Sequence, residues 1–228
     1  MALEIDPNVL RKDNPIRLWD IARKKVSTIF VGHEADIYSL DISRDGQRLA
    51  SSSGDRTARF WDVETGQCLL RLDIEDVITS IAISPDGKFL ATGSLDRGVR
   101  IYDTERGTLV ERLEGHKDSV YSVAFSPSGH ELLSASLDKM IKSWELITPR
   151  ITGLSQPGPP RAGICKTTFE GHKDFALTVT TSPDGQWVIS GSKDSSVQFW
   201  NLTDGRPQFR LQGHTNSGTG TSAVWPLR

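Results

Sequence analysis

His33, Ser51 and Asp55 are the residue types of a hydrolytic triad: an aspartate orients an imidazole, the imidazole takes a proton, and a hydroxyl attacks. The same types return at His116, Ser134 and Asp138, and again at His172, Ser190 and Asp194. In each set the histidine precedes the aspartate by 22 residues, and a tryptophan (Trp61, Trp144, Trp200) follows the aspartate by 6. A catalytic set is needed once. One repeated at fixed spacing serves something every structural unit needs, so we read these residues as a structural hydrogen-bond network and assign no catalytic residue. A fourth set is degraded. Thr92 and Asp96 remain, but Asp73-Ile74-Glu75-Asp76 stands in the place of Gly-His and Tyr102 in that of Trp. That unit should have a weakened network.

The units themselves follow from the spacing of two dipeptide signatures. Trp19-Asp20, Trp61-Asp62, Tyr102-Asp103, Trp144-Glu145 and Trp200-Asn201 are separated by steps of 42, 41, 42 and 56 residues. Between them lie Gly32-His33, Gly115-His116, Gly171-His172 and Gly213-His214. A period of roughly 40–45 residues with these signatures marks four-stranded blades of a β-propeller, and the motifs resemble those of WD-repeat proteins. Side-chain alternation agrees. The column Ile16, Ala58, Val99, Ile141, Val197 is apolar, its neighbour Arg17, Arg59, Arg100, Lys142, Gln198 is long and polar, and Leu18, Phe60, Ile101, Ser143, Phe199 is mostly apolar again. Period two is strand geometry. Turns fall at Ser43-Arg44-Asp45-Gly46, Ser84-Pro85-Asp86-Gly87, Ser126-Pro127-Ser128-Gly129 and Ser182-Pro183-Asp184-Gly185, where glycine accepts a positive φ. The column Ser39, Ser80, Ser122, Thr178 is small and hydroxylated, as suits the crowded strand nearest a propeller axis.

The expected fold is therefore all-β: an incomplete WD-repeat propeller of four full four-stranded blades plus half a blade. Residues 1–14 form an off-pattern N-terminal segment, 15–31 the half blade, and 32–216 the four blades. Residues 147–163, with Pro149, Pro157, Pro159 and Pro160, read as a loop between two strands, and 217–228 as an off-pattern tail. Without a closing pair between first and last strands, such a chain should expose two blade flanks.

Other chemistry is sparse. With 27 basic and 29 acidic residues the net charge is −2, which gives no general attraction to polyanions. Cys68 and Cys165 match no metal spacing and read as reduced thiols in strands. His130 is solitary beside a turn, and the basic runs Arg11-Lys12 and Arg23-Lys24-Lys25 read as solvated turns. No glycine-rich loop precedes a helix, so no cofactor and no small-molecule substrate is expected. No apolar run reaches the roughly 20 residues of a spanning helix, and no secretion signal opens the chain, so a soluble intracellular protein without membrane contact is expected. A propeller of this kind works as a display surface. The rim around each Gly-His offers Tyr38, Tyr121 and Phe175 as aromatic anchors for a partner protein.

A closer resemblance narrows the function. Asp36-Ile37-Tyr38-Ser39-Leu40, Ser53-Gly54-Asp55-Arg56-Thr57, Leu109-Val110-Glu111-Arg112-Leu113 and Gly171-His172-Lys173-Asp174-Phe175 resemble the C-terminal propeller of fungal Tup-type transcriptional corepressors, related in role to the Groucho type. The resemblance spans about Asn14 to Asn216. It implies a seven-bladed parent propeller, a nuclear location and a non-enzymatic repressor scaffold. It also implies recruitment to promoters by sequence-specific DNA-binding repressor proteins, with histone tails as a further class of partner and no direct nucleic-acid contact. The positions matching the family's binding face are Tyr38, Tyr121 and Asn216. The alternatives are a general WD-repeat adaptor in a ubiquitin-ligase or chromatin complex, a hydrolase built on one His/Ser/Asp set, and a non-functional fragment.

Overall fold

A computed structural model describes residues 2–5, 14–146 and 160–213, with twenty β-strands and no helix among them. They form five sheets in chain order. The first joins β1 (Ala2–Ile5), β2 (Ile16–Asp20) and β3 (Lys25–Phe30). The second runs β4 (Ile37–Ile42), β5 (Arg48–Ser53), β6 (Thr57–Asp62), β7 (Cys68–Asp73). The third runs β8 (Ile78–Ile83), β9 (Phe89–Ser94), β10 (Val99–Asp103), β11 (Leu109–Leu113), and β15 (Arg161–Ala162) joins its edge. The fourth holds β12 (Val120–Phe125), β13 (Glu131–Ser136), β14 (Ile141–Glu145) and β16 (Ile164–Phe169). The fifth holds β17 (Ala176–Thr181), β18 (Trp187–Ser192), β19 (Ser196–Asn201) and β20 (Pro207–Gln212).

The β4–β5 turn and its counterparts are closed by their own side chains. Ser43 Oγ donates to Asp45 Oδ1 at 2.5 Å, accepts from the Arg48 amide at 2.9 Å, and Gly46 turns at φ +72°. Ser84, Asp86 and Gly87 repeat this arrangement, as do Ser182, Asp184 and Gly185. A side chain that bonds its own turn makes the hairpin locally favourable before any blade packs.

Consecutive sheets stack face to face, and each interface has its own apolar core. Ile16, Leu18 and Phe30 of the first sheet pack on Ile37, Leu49 and Trp61 of the second. The second meets the third through Ala58, Phe60 and Leu72 against Ile78, Ile81 and Leu90. Trp144 and Leu132 fill the third interface, and Trp200 and Val188 the fourth. The three tryptophans are essentially fully buried. Phe30 meets Trp61 edge-on at 5.9 Å between ring centroids, and Phe169 meets Trp200 at 5.8 Å.

The small hydroxyl column stitches inner strand to inner strand. Ser39 Oγ accepts from the Ile81 amide at 3.4 Å, Ser80 Oγ from Val123 at 3.1 Å and Ser122 Oγ from Val179 at 3.1 Å. Each serine thus takes up an amide of the following sheet that would otherwise be buried without a partner.

Two segments differ from their expected form. The off-pattern N-terminal segment supplies β1, which pairs antiparallel with β2 and makes the half blade three-stranded. The Pro/Gly-rich stretch is not loop throughout. Arg161 and Ala162 pair in parallel with Glu111 and Arg112 of β11, and the Gly163 amide donates to Arg112 O at 3.2 Å. A strand edge left open by β11 attracts this pairing. The rest of the expected loop, 147–159, and the expected tail, 217–228, lie outside the described residues.

Candidate functional site

The repeated His/Ser/Asp/Trp residues meet within each blade. His33 Nδ1 lies 2.8 Å from Asp55 Oδ2, His33 Nε2 lies 2.7 Å from Ser51 Oγ, and Trp61 Nε1 donates to Ser51 Oγ at 2.8 Å. The distances around His116 are 2.8 Å to Asp138, 2.7 Å to Ser134 and 2.8 Å from Trp144 to that serine. Around His172 they are 3.1, 2.8 and 2.9 Å, to Asp194, to Ser190 and from Trp200 to Ser190. Indole is donor only, so the serine accepts from it and donates onward to Nε2; the neutral imidazole then carries its proton on Nδ1 and donates to the aspartate.

That order has the connectivity of a triad but not its exposure. Ser51, Ser134 and Ser190 are wholly buried, and each hydroxyl already takes an indole N–H. None of these three hydroxyls is presented to solvent, and the arrangement ties the Gly-His segment to the middle strands.

Electrostatics follow the geometry. Burial pushes the His33 and His172 imidazoles below their ordinary range, against the pull of Asp55 and Asp194. Burial works against ionisation of Asp138 too, but hydrogen bonds from His116 and the Lys117 amide outweigh it and hold that carboxyl at about 2. Asp55 and Asp194 are also desolvated, yet hydroxyls of Thr57 and Ser196, amides of Glu34 and Lys173, and the histidines keep them well below the usual range.

The third sheet departs. Ile74 fills the histidine position and is buried, while Asp96 and Glu75 bond the buried Arg100 guanidinium instead. Thr92, grouped with the network by its spacing, has a buried Oγ1 with no partner, since both histidine and tryptophan are missing there. Burial pushes the Tyr102 hydroxyl up to about 12. The first sheet shows the converse: Trp19 Nε1 is buried without an acceptor. By register Glu4 opposes Arg17 as Ser51 opposes Arg59, so no serine stands at that position.

The rim has its own construction. Every inner strand carries a β-bulge at the same place, and the bulged residues are Tyr38, Thr79, Tyr121 and Leu177. A bulge re-aims the extra side chain out of the alternation of its strand. Tyr38 is 53% exposed and Tyr121 39%, both large for aromatic residues on a buried strand. Tyr38 lies along Gly54, where an added Cβ would come within 3.3 Å of its ring. Phe175, grouped with the two tyrosines from sequence, occupies a different position: it precedes its bulge by two residues, is half-buried, and lies 5.1 Å from Lys193 Nζ. The segment Asp76-Val77-Ile78-Thr79 belongs to this rim by sequence, and Leu177 joins it by its place in the same column. Asn216 lies outside the described residues.

The family described as "WD domain, G-beta repeat" matches residues 24–62, 66–103, 107–145 and 163–201. The chain belongs to the WD-repeat family. Each matched WD repeat starts just before the last strand of one blade and ends with the third strand of the next, so the repeat unit and the sheet are offset. Among curated relatives, the transcriptional repressor rco-1 of Neurospora crassa is 59% identical over 209 residues, covering 90% of this WD-repeat chain and 34% of the relative. The general transcriptional corepressor TUP1 of Saccharomyces cerevisiae is 50% identical over 214 residues, 90% of the chain and 30% of the relative. The transcriptional repressor tup12 of Schizosaccharomyces pombe is 54% identical over 200 residues, 88% and 33%. The chain thus spans about a third of the length of these relatives.

Proposed function

We propose that this WD-repeat chain is a non-enzymatic, nuclear corepressor scaffold, brought to promoters by sequence-specific DNA-binding repressor proteins that contact the bulged rim. The observation that carries this reading is the pair of exposed tyrosines, Tyr38 and Tyr121, displayed by equivalent bulges on a rigid frame. Large, stiff aromatic side chains that pay little entropy on contact are the commonest anchors of protein interfaces. The reading is supported by identity of 50–59% to three fungal proteins named as transcriptional repressors or corepressors. The small net charge of −2 favours recruitment through protein rather than through the phosphate backbone. Histone tails belong to the same proposed class of protein partner.

The test is a pull-down from nuclear extract with the wild-type chain and its Tyr38→Ala and Tyr121→Ala variants, scoring sequence-specific DNA-binding proteins by mass spectrometry. Retention by the wild type and loss in both variants, with melting temperatures unchanged, is the expected result. Equal retention by all three chains would overturn the rim as the contact.

A further inference from the structure

We propose that the segment held by the rim is a short basic one, with a single aliphatic side chain seated between Tyr38 and Tyr121 and lysines or arginines on either side of it. The proposal rests on the rim reading above and specifies the chemistry of its occupant.

The seat follows from the bulge column. Tyr38, Thr79 and Tyr121 stand at one position on three successive inner strands, so the smallest side chain lies between the two largest. Thr79 Oγ1 faces the backbone carbonyls of Gly93 and Val120 and donates its one proton between them, so the methyl is the part of the side chain left to a partner. An exposed tyrosine on each side of a small residue leaves a gap that suits one branched aliphatic group.

The charge follows from the segments that lead into the bulges. Residues 34–36, 75–77, 117–119 and 173–175 carry Glu34, Asp36, Glu75, Asp76, Asp118 and Asp174 against only Lys117 and Lys173. The neighbouring hairpin tips are balanced, with Asp55, Asp96, Asp138 and Asp194 opposite Arg56, Arg97, Lys139 and Lys193. Glu75 pairs with Arg100 and Arg112, and the five remaining carboxylates against two lysines still leave these segments net negative. Three of these carboxylates are held in place: Asp76, Asp118 and Asp174 each accept the next residue's amide through Oδ1, at 2.7, 2.7 and 2.8 Å. Fixed carboxylates favour a cationic partner and repel an anionic one, and this selects the partner more strongly than it tightens the contact.

Three fluorescein-labelled nonapeptides test this, each with a central leucine, flanked on both sides by lysines, by serines or by glutamates. Anisotropy against the full chain should show the lysine peptide binding about ten-fold more tightly than the serine peptide, with the gap closing as salt rises, and no binding of the glutamate peptide. Thr79→Tyr should abolish binding by filling the seat, and Asp36→Asn with Asp118→Asn should bring the lysine peptide close to the serine one. Asp86→Asn with Asp184→Asn, on turns away from the rim, should change nothing; an equal loss there would show non-specific charge attraction and overturn the proposal. Preference for the serine or glutamate peptide would also overturn it. If no peptide binds while Tyr121→Ala still strips DNA-binding proteins from the pull-down, the basic occupant is wrong and the rim survives. Binding of the lysine peptide to the Tyr38→Ala and Tyr121→Ala variants as tightly as to wild type would sink both readings.

Discussion

Asp138 shows how much one carboxylate does in this chain. It accepts His116 Nδ1–H at 2.8 Å and the amides of Lys117 and Met140, both at 2.9 Å. Asp138→Ala leaves all three donors without an acceptor and should cost about 3 kcal/mol. A thermal melt should drop by roughly 10 °C. Tyr102→Trp should act in the other direction, because an indole N–H there reaches the unpartnered Thr92 hydroxyl; a gain of about 1 kcal/mol in denaturant unfolding is expected. The histidines set a pH dependence. His33 and His172 titrate lower in the folded chain than their unfolded value of about 6.5, so their contribution is present above that pH. It is lost as pH falls from about 6.5 toward the folded values, since the unfolded chain takes up protons the folded one refuses. The urea midpoint should be level above pH ~7 and fall below ~6.5, and His33→Gln with His172→Gln should flatten that fall. At this scale the spacing of 22 and 6 was readable without coordinates, since a strict repeat distinguishes a brace from a catalyst. What spacing did not show is the solution adopted in the third blade, where Arg100 takes over Asp96. That exchange depends on a side chain reaching across the blade, which residue columns do not display.

Among the elements, strand positions were plain from alternation and from the Ser-x-Asp-Gly turns, because both are local. The rim was half readable. Tyr38, Thr79, Tyr121 and Leu177 share a column that precedes the hydroxyl one, but only the register shift shows that this column is bulged and that Phe175 lies outside it. The strand β15 was not readable at all: two residues pairing in parallel with a neighbouring blade have no period to detect. This strap packs tightly, and a Cβ placed on Gly163 would lie 2.0 Å from Leu113 Cδ2. Gly163→Val should therefore release β15 from β11 at a cost of about 1–3 kcal/mol. Hydrogen exchange at the Gly163 amide, which donates to Arg112 O, should speed up while amides of β9 and β10 stay protected.

For the whole molecule, stability resides in the interfaces between sheets. Among the described residues no further sheet packs on the fifth. Ile189, Val197, Phe199, Phe209 and Leu211 hold the positions that Ala50, Ala58, Phe60, Leu70 and Leu72 hold in the second sheet. The latter are packed against the third sheet, whereas Phe209 and Leu211 are 52% and 56% exposed. Interfaces that meet only their neighbours make the chain behave as a row of coupled units. Ser122→Ala removes the acceptor for the Val179 amide and should cost about 1–3 kcal/mol. Its distinguishing mark is lower cooperativity: the denaturant slope should fall as the fifth sheet melts ahead of the others.

The stitching hydroxyls also give the arc a direction. Ser39, Ser80 and Ser122 each receive an amide from the sheet that follows and none from the sheet that precedes. The two flanks are therefore unlike, as the two ends of a polar filament are. Thr178 on β17 continues the hydroxyl column, so the series of acceptors points the same way through to the fifth sheet.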